Sequence, residues 1–272
     1  MTPLSEELVE EIENFVANFI KTNQNFFPNP IIRDDILHFL ETKCNVLYYP
    51  LEDDNDGCSL KRVVNGKEEI FVFINTHKPK EKQVFTAAHE LGHICGLEEC
   101  LRSRFPNLFE DRMREDVMNY FAACLLMSKE VFKKEVVQRI KHTKSEDEIS
   151  AVFKLIIQLM DVFFVPFKAV VLRLAETGFM TWEDAEILSG SVELKEVIRS
   201  FIKTSNSSRL DIPTEKKSIK DFTLLLKIAE RESLLSENRL SALRNLMDIP
   251  QATDKVKLPH IGLTIKGFEG DK

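Results

Sequence analysis

The sequence predicts an α+β protein, mostly helical, with a small antiparallel sheet beside one helix and a helical C-terminal extension. Three observations carry this. Apolar residues recur at helical spacing along most of the 272 residues, and glycine is scarce, at nine. The apolar period shortens to that of strands only between about residues 45 and 75.

Taken in order, Leu8, Ile12, Phe15, Val16 and Phe19 fall on one face of a helix over 5–22. A second helix over 30–42 holds Pro30 in its first turn and gathers Ile32, Ile36, Leu37 and Leu40. Asn45–Tyr49 reads as a strand. The polar loop Glu52–Gly57 lacks the spaced downstream Glu of an EF-hand and reads as a solvated turn. Residues 58–64 and 69–75 form a hairpin around Asn65-Gly66. Its second arm runs straight into a helix with Pro79 at its start and Gly96 just past its end.

From there to about 177 the pattern is helical, with breaks near 104–107, 143–145 and 165–166. The remainder holds the single tryptophan, Trp182, a polar stretch at 204–208, and a helix over 218–247 whose leucines read as core. The expected organisation is one domain over 1–142, two helices around a short turn within 143–180 packed on it, and a C-terminal domain of unassigned role over 181–272.

Composition narrows the function classes. An apolar fraction of 43% and a charged fraction of 30% belong to a soluble globular protein. A net charge of −7 offers no global attraction to a polyanion. Five cysteines without a CxxC pair suit a reduced compartment. The acidic N-terminus has none of the regions of a signal peptide. The longest apolar stretch, Leu155–Leu174, is broken by Gln158, Asp161, Pro166, Lys168 and Arg173. A cytoplasmic protein with no membrane partner is expected.

The chemistry sits in His89-Glu90-Leu91-Gly92-His93. Histidines four apart on a helix stand about 40° apart and about 6 Å along the axis, so two imidazoles converge on one zinc ion. Glu90, turned by about 100°, stands beside the metal. A carboxylate there takes a proton from the attacking water and passes it to the leaving amine. The alternative is a pair of surface histidines, but the flanks Val84–Ala88 and Leu91-Gly92 are small and apolar, as for a buried helix. Gly92 inside a helix costs about 1 kcal/mol and implies close packing.

Two residues compete as third metal ligand. Glu99 falls at the last position of the spacing HExxHxxGxxH, with Gly96 also present. Glu115 opens a later helix on which Glu115, Asn119 and Ala122 share a face, with Asn119 placed to hydrogen-bond a ligand histidine. Glu98, Glu110, Asp111 and Asp116 fit neither spacing and read as a solvated charged rim. His77 and Tyr120 are candidates for stabilising the oxyanion; His142 and Arg173 are further site candidates.

Phe85-Thr86-Ala87-Ala88-His89-Glu90-Leu91-Gly92-His93, followed by Glu115-x-x-x-Asn119-x-Phe121-Ala122-Ala123-x-Leu125-Leu126-Met127, resembles the ImmA/IrrE metallopeptidases. The likeness is specific over about 45–130 and continues more weakly to Leu174, where the family has a segment of helix-turn-helix character. It implies a core like that of thermolysin-type zinc peptidases, one zinc per chain, and Glu115 rather than Glu99 as third ligand. Ser128 stands where the family usually has Pro. The resemblance also implies a cytoplasmic endopeptidase that cleaves a helix-turn-helix (XRE-like) repressor, releasing genes of a mobile element or a stress response.

The strand 69–75, if it lies at a sheet edge, can take an extended peptide by β-addition; as an internal strand it has no substrate role. The competing class is a DNA-binding or partner-binding regulator with a structural or inactive metal site. Its recognition helix would carry Lys168 and Arg173, but the apolar residues around them argue for burial and against direct DNA binding.

Overall fold

The computed structural model describes residues 4–249 except 65, 107, 109–110, 142–147, 192–193, 206 and 208. Asn65, Glu110, His142 and the tail beyond 249 lie outside the described residues. The chain divides into two compact units, residues 1–220 and 221–272.

In the first unit, helix α1 (Glu6–Thr22) starts at Ser5, whose hydroxyl accepts the Leu8 N–H, and buries Leu8, Ile12 and Val16. Helix α2 (Asp35–Lys43) begins later than Pro30, because Arg33 takes a left-handed backbone (φ 54°) that no helix continues through.

Four strands follow: β1 (Asn45–Tyr49), β2 (Gly57–Val64), β3 (Lys67–Asn75) and, far along the chain, β4 (Ser218–Ile219). Their order is β2-β3-β1-β4. The class is the expected α+β, but the sheet is mixed rather than antiparallel throughout: β1 and β3 run parallel, from Asn45 opposite Phe71 to Tyr49 opposite Asn75. The cause is the polar loop. Instead of turning back beside β1, it passes the end of β3 and feeds β2 on the far side. Asn75, fully buried, holds it there. Its side chain accepts the Leu51 N–H at 3.0 Å and donates to the carbonyls of Leu51 and Asn55 at 2.9 and 2.7 Å. Its backbone N–H donates to the Asp56 carbonyl. Strand β3 is therefore internal, and β2 is the edge.

Helix α3 (Lys80–Ile94) packs against β2, β3 and α2, and most closely against α5. The short α4 (Leu97–Arg102) follows the left-handed Gly96, at φ 88°. Then come α5 (Asp111–Leu126), α6 (Lys129–Ile140), α7 (Glu148–Phe163), α8 (Phe167–Glu176), α9 (Trp182–Gly190) and α10 (Leu194–Thr204). Ser128 stands at the N-cap position of α6 without a side-chain cap hydrogen bond, at φ −53°, a value proline also takes.

Helices α7 and α8 meet at 104°. Helix α8 buries Ala169, Val170, Val171, Leu174 and even Arg173. The guanidinium of Arg173 donates to the Met127 carbonyl at 2.9 Å and to Glu176 at 2.7 Å, fastening α8 to the end of α5. No single described helix is long and apolar enough to cross a membrane.

In the second unit, the helix expected over 218–247 is interrupted. Ser218–Ile219 still belong to the first unit, where they pair with β1, and the second unit holds α11 (Phe222–Arg231) and α12 (Glu237–Leu246). Between them Ser233 adopts φ 52°, which ends a helix. The leucines read as core are partly at the surface: Leu224, Leu225, Leu234 and Leu246 are exposed.

Candidate metal centre

Small side chains bring α3 and α5 together. A Cβ placed on Gly92 would lie 2.8 Å from Met118 Sδ and 3.0 Å from Phe121 Cδ1. The close packing expected from a helical glycine is thus against α5. Ala87, Ala88 and Leu91 turn into the core, which leaves His89, Glu90 and His93 on the face that lines a cleft.

Glu115 meets the two histidines from the first turns of α5. His89 Nε2 lies 3.1 Å from Glu115 Oε2, His93 Nε2 lies 3.6 Å from Glu115 Oε1, and the two Nε2 atoms are 3.3 Å apart. A tetrahedral ion with bonds of about 2.1 Å separates its ligand atoms by about 3.4 Å. These three donors have that spacing, and they are the group among the described residues able to hold a metal ion.

The far side of each ring is also held. His89 Nδ1 meets Asn119 Oδ1 at 3.0 Å, so Nδ1 donates and the Nε2 lone pair faces inward. His93 Nδ1 faces Glu98 Oε1 at 3.4 Å. Glu98 is only 12% exposed and is tied to Arg114 and Arg102, so it belongs to the centre and not to a solvated rim. Burial, and next the neighbouring His89, push the His93 pKa below its usual value and favour the neutral imidazole a metal requires.

Glu90 is 5% exposed and lines the cleft beside both histidines. Its carboxylate makes no hydrogen bond to another described residue.

The cleft encloses about 1020 Å³. Its floor is a stripe of α5, with Asp116, Asn119, Tyr120 and Ala123 at helical spacing. The edge-strand residues Gly57–Ser59 form one rim, and Trp182 closes part of another.

The remaining sequence candidates lie elsewhere or are engaged. Glu99 is exposed and outside the three-donor group. His77 sits beyond the N-terminal end of α3, away from His89 and His93, with Nδ1 2.8 Å from Glu215. Tyr120 does line the cleft, but its hydroxyl donates to Glu13 at 2.9 Å, and burial pushes its pKa far above the tyrosine range. Sequence reasoning missed Glu98 and the rim at β2. Glu98 had one signal: it follows Gly96, where a left-handed turn sends the chain back past His93.

A family model described as the IrrE N-terminal-like domain, Peptidase_M78, matches residues 43–175. No curated protein and no solved structure matches the chain significantly. The matched span runs from the end of α2 almost to the end of α8, and it contains both histidines, Glu90, Glu98, Glu115 and Asn119. This match over residues 43–175, just under half of the chain, supports an ImmA/IrrE family metallopeptidase.

Proposed function

We propose that the protein is a zinc-dependent endopeptidase whose substrate is a helix-turn-helix (XRE-like) transcriptional repressor in the cytoplasm. The observation that carries the hydrolytic reading is the convergence of His89, His93 and Glu115 at tetrahedral spacing, with the unengaged carboxylate of Glu90 beside them on an open cleft.

His89, His93 and Glu115 would hold one zinc ion, which would supply the positive charge that polarises a scissile carbonyl and makes water a usable nucleophile near neutral pH. Glu90 takes the proton of that water and delivers it to the leaving amine. Asn119 keeps His89 in the tautomer that leaves Nε2 free. Neither His77 nor Tyr120 is assigned to the oxyanion, since both are occupied elsewhere.

Substrate presentation falls to β2 and not to the 69–75 strand. Among described residues β2 pairs only with β3, so its outer edge offers backbone donors and acceptors to an extended peptide beside the histidines. Backbone pairing selects little for sequence, which leaves recognition of a repressor to the rest of the cleft. Cleavage of such a repressor would release the genes it silences, in a mobile element or a stress response. The rival reading, a DNA-binding regulator with an inactive metal site, is weakened by the burial of α8, Arg173 included.

Zinc content and cleavage of a co-encoded helix-turn-helix repressor test this directly. About one zinc per chain is expected. Glu90→Gln should keep the metal while cleavage falls by about 10²- to 10⁴-fold. A protein that binds DNA in a salt-sensitive way and leaves every co-encoded repressor intact would reverse the assignment.

A further inference from the structure

We propose that Glu98 is a positioning residue of the metal centre: its carboxylate fixes the His93 ring, and Arg114 fixes Glu98. The proposal rests on the zinc reading above and adds to it the outer support of the second histidine.

Three observations converge. First, His93 Nε2 points at the other two donor atoms, so Nδ1 is the outward nitrogen, and Glu98 Oε1 is the acceptor facing it. Second, Glu98 is held in place, being 12% exposed with Arg114 Nε on the same oxygen and Arg102 3.7 Å from the other. Third, Arg114 directly precedes Glu115, so the Glu98–Arg114 pair joins α4 to α5 at the residue before the third donor.

The chemistry follows from the acceptor's charge. An imidazole that donates Nδ1–H to a carboxylate is a more basic ligand at Nε2 than one that donates to an amide. His89 has the amide, Asn119, and His93 has the carboxylate. Loss of such an outer partner typically costs about 10- to 100-fold in metal affinity. The left-handed turn at Gly96 is what returns the chain so that the first turn of α4 can supply this group.

The test is zinc affinity by chelator competition on the full chain, which needs no substrate. Glu98→Ala should raise the zinc Kd by about 10- to 100-fold, with Glu98→Gln between it and wild type. Arg114→Gln, which leaves Glu98 facing His93, should have the smaller effect, and Glu99→Ala none. In ¹⁵N spectra of the zinc-loaded protein, the slowly exchanging Nδ1 proton of His93 should be lost in Glu98→Ala and kept in Glu99→Ala. The apo variants' thermal midpoints separate misfolding from loss of support, and Glu98→Gln serves if the alanine variant does not fold. Wild-type zinc affinity and a protected Nδ1 proton in the folded Glu98 variants would overturn the proposal alone. A wild-type chain that takes up no zinc, or a His93→Ala variant that binds it as tightly, would overturn the zinc reading as well.

Discussion

The two ends of α3 both bury polar side chains, and they do so in opposite ways. At the N-terminal end, Glu81 and Gln83 are 4% and 2% exposed and are answered mostly by backbone. Glu81 Oε1 accepts the Asp211 N–H at 3.0 Å, and Gln83 donates to the Lys78 carbonyl at 2.7 Å and accepts from Thr214 at 3.0 Å. The Lys80 N–H, left over at a helix start, reaches the Ile212 carbonyl. At the other end, His89, His93 and Glu115 face one another, and Glu90 faces the cleft. Polar groups answered by backbone and by the Thr214 hydroxyl anchor the helix, even with Glu81 Oε2 buried and unpartnered among the described residues; side chains that converge with an ion-sized gap among them form a site. Burial also differs, since Glu81 and Gln83 are buried whereas His89 and His93 are half-buried and Glu115 is exposed, but it is the partners that distinguish an anchor from a site.

The comparison breaks most sharply if the convergent end does not need its third donor. Glu115→Ala removes a carboxylate whose two oxygens each face one of the histidines and should lower zinc affinity by more than the 10- to 100-fold typical of an outer partner. Glu99→Ala, on an exposed side chain, should leave it unchanged. Chelator competition on the two variants decides the matter, and the reverse pattern would move the third donor to Glu99.

A smaller effect is expected where α3 meets α5. Gly92→Leu has no room between Met118 and Phe121, and overpacking of this kind costs about 1–3 kcal/mol. Zinc affinity should fall with stability, because spreading the helices moves Glu115 from the histidines. Gly92→Ala is milder, since helix propensity returns about 1 kcal/mol and the nearest atom is the sulfur of a flexible Met side chain. Thermal denaturation of both variants, with and without zinc, checks the coupling. A Gly92→Leu protein as stable as wild type would show that the close approach is not tight.

What the sequence made legible was local. Period-two and helical patterns located β1, the β2–β3 arms and α3, and the four-residue steps from His89 to His93 and from Glu115 to Asn119 marked faces that do meet. Hidden features depended on partners distant in sequence or on reversals of the chain. The parallel pairing of β1 with β3 follows from Asn75 holding residues 24 and 20 positions earlier, at Leu51 and Asn55. Glu98 sat among other acids and was separable from them only by the turn at Gly96. The anchor of α3 was the least legible, since Asp211 lies 130 residues from Glu81.

That anchor gives the smallest effect and the finest test of the contrast. Burial, the largest influence, pushes the Glu81 carboxyl above its usual value of 4.5, outweighing the backbone N–H groups that lower it. The folded state then holds the Glu81 proton at pH values where the unfolded chain has released it. Stability from this group is full below 4.5 and is lost as pH rises through the folded value. Glu176 and Asp161 are shifted the same way, so a wild-type profile alone cannot isolate Glu81. The difference between wild type and Glu81→Gln can, because the other groups are common to both. Above pH 4.5 the wild-type thermal midpoint should decline more steeply than that of Glu81→Gln. Zinc affinity at fixed pH should be the same in both, since the anchor lies at the opposite end of α3 from the histidines. Parallel melting profiles would mean that the carboxyl is not taxed by its burial, and a change in zinc affinity would mean that the two ends of α3 are coupled.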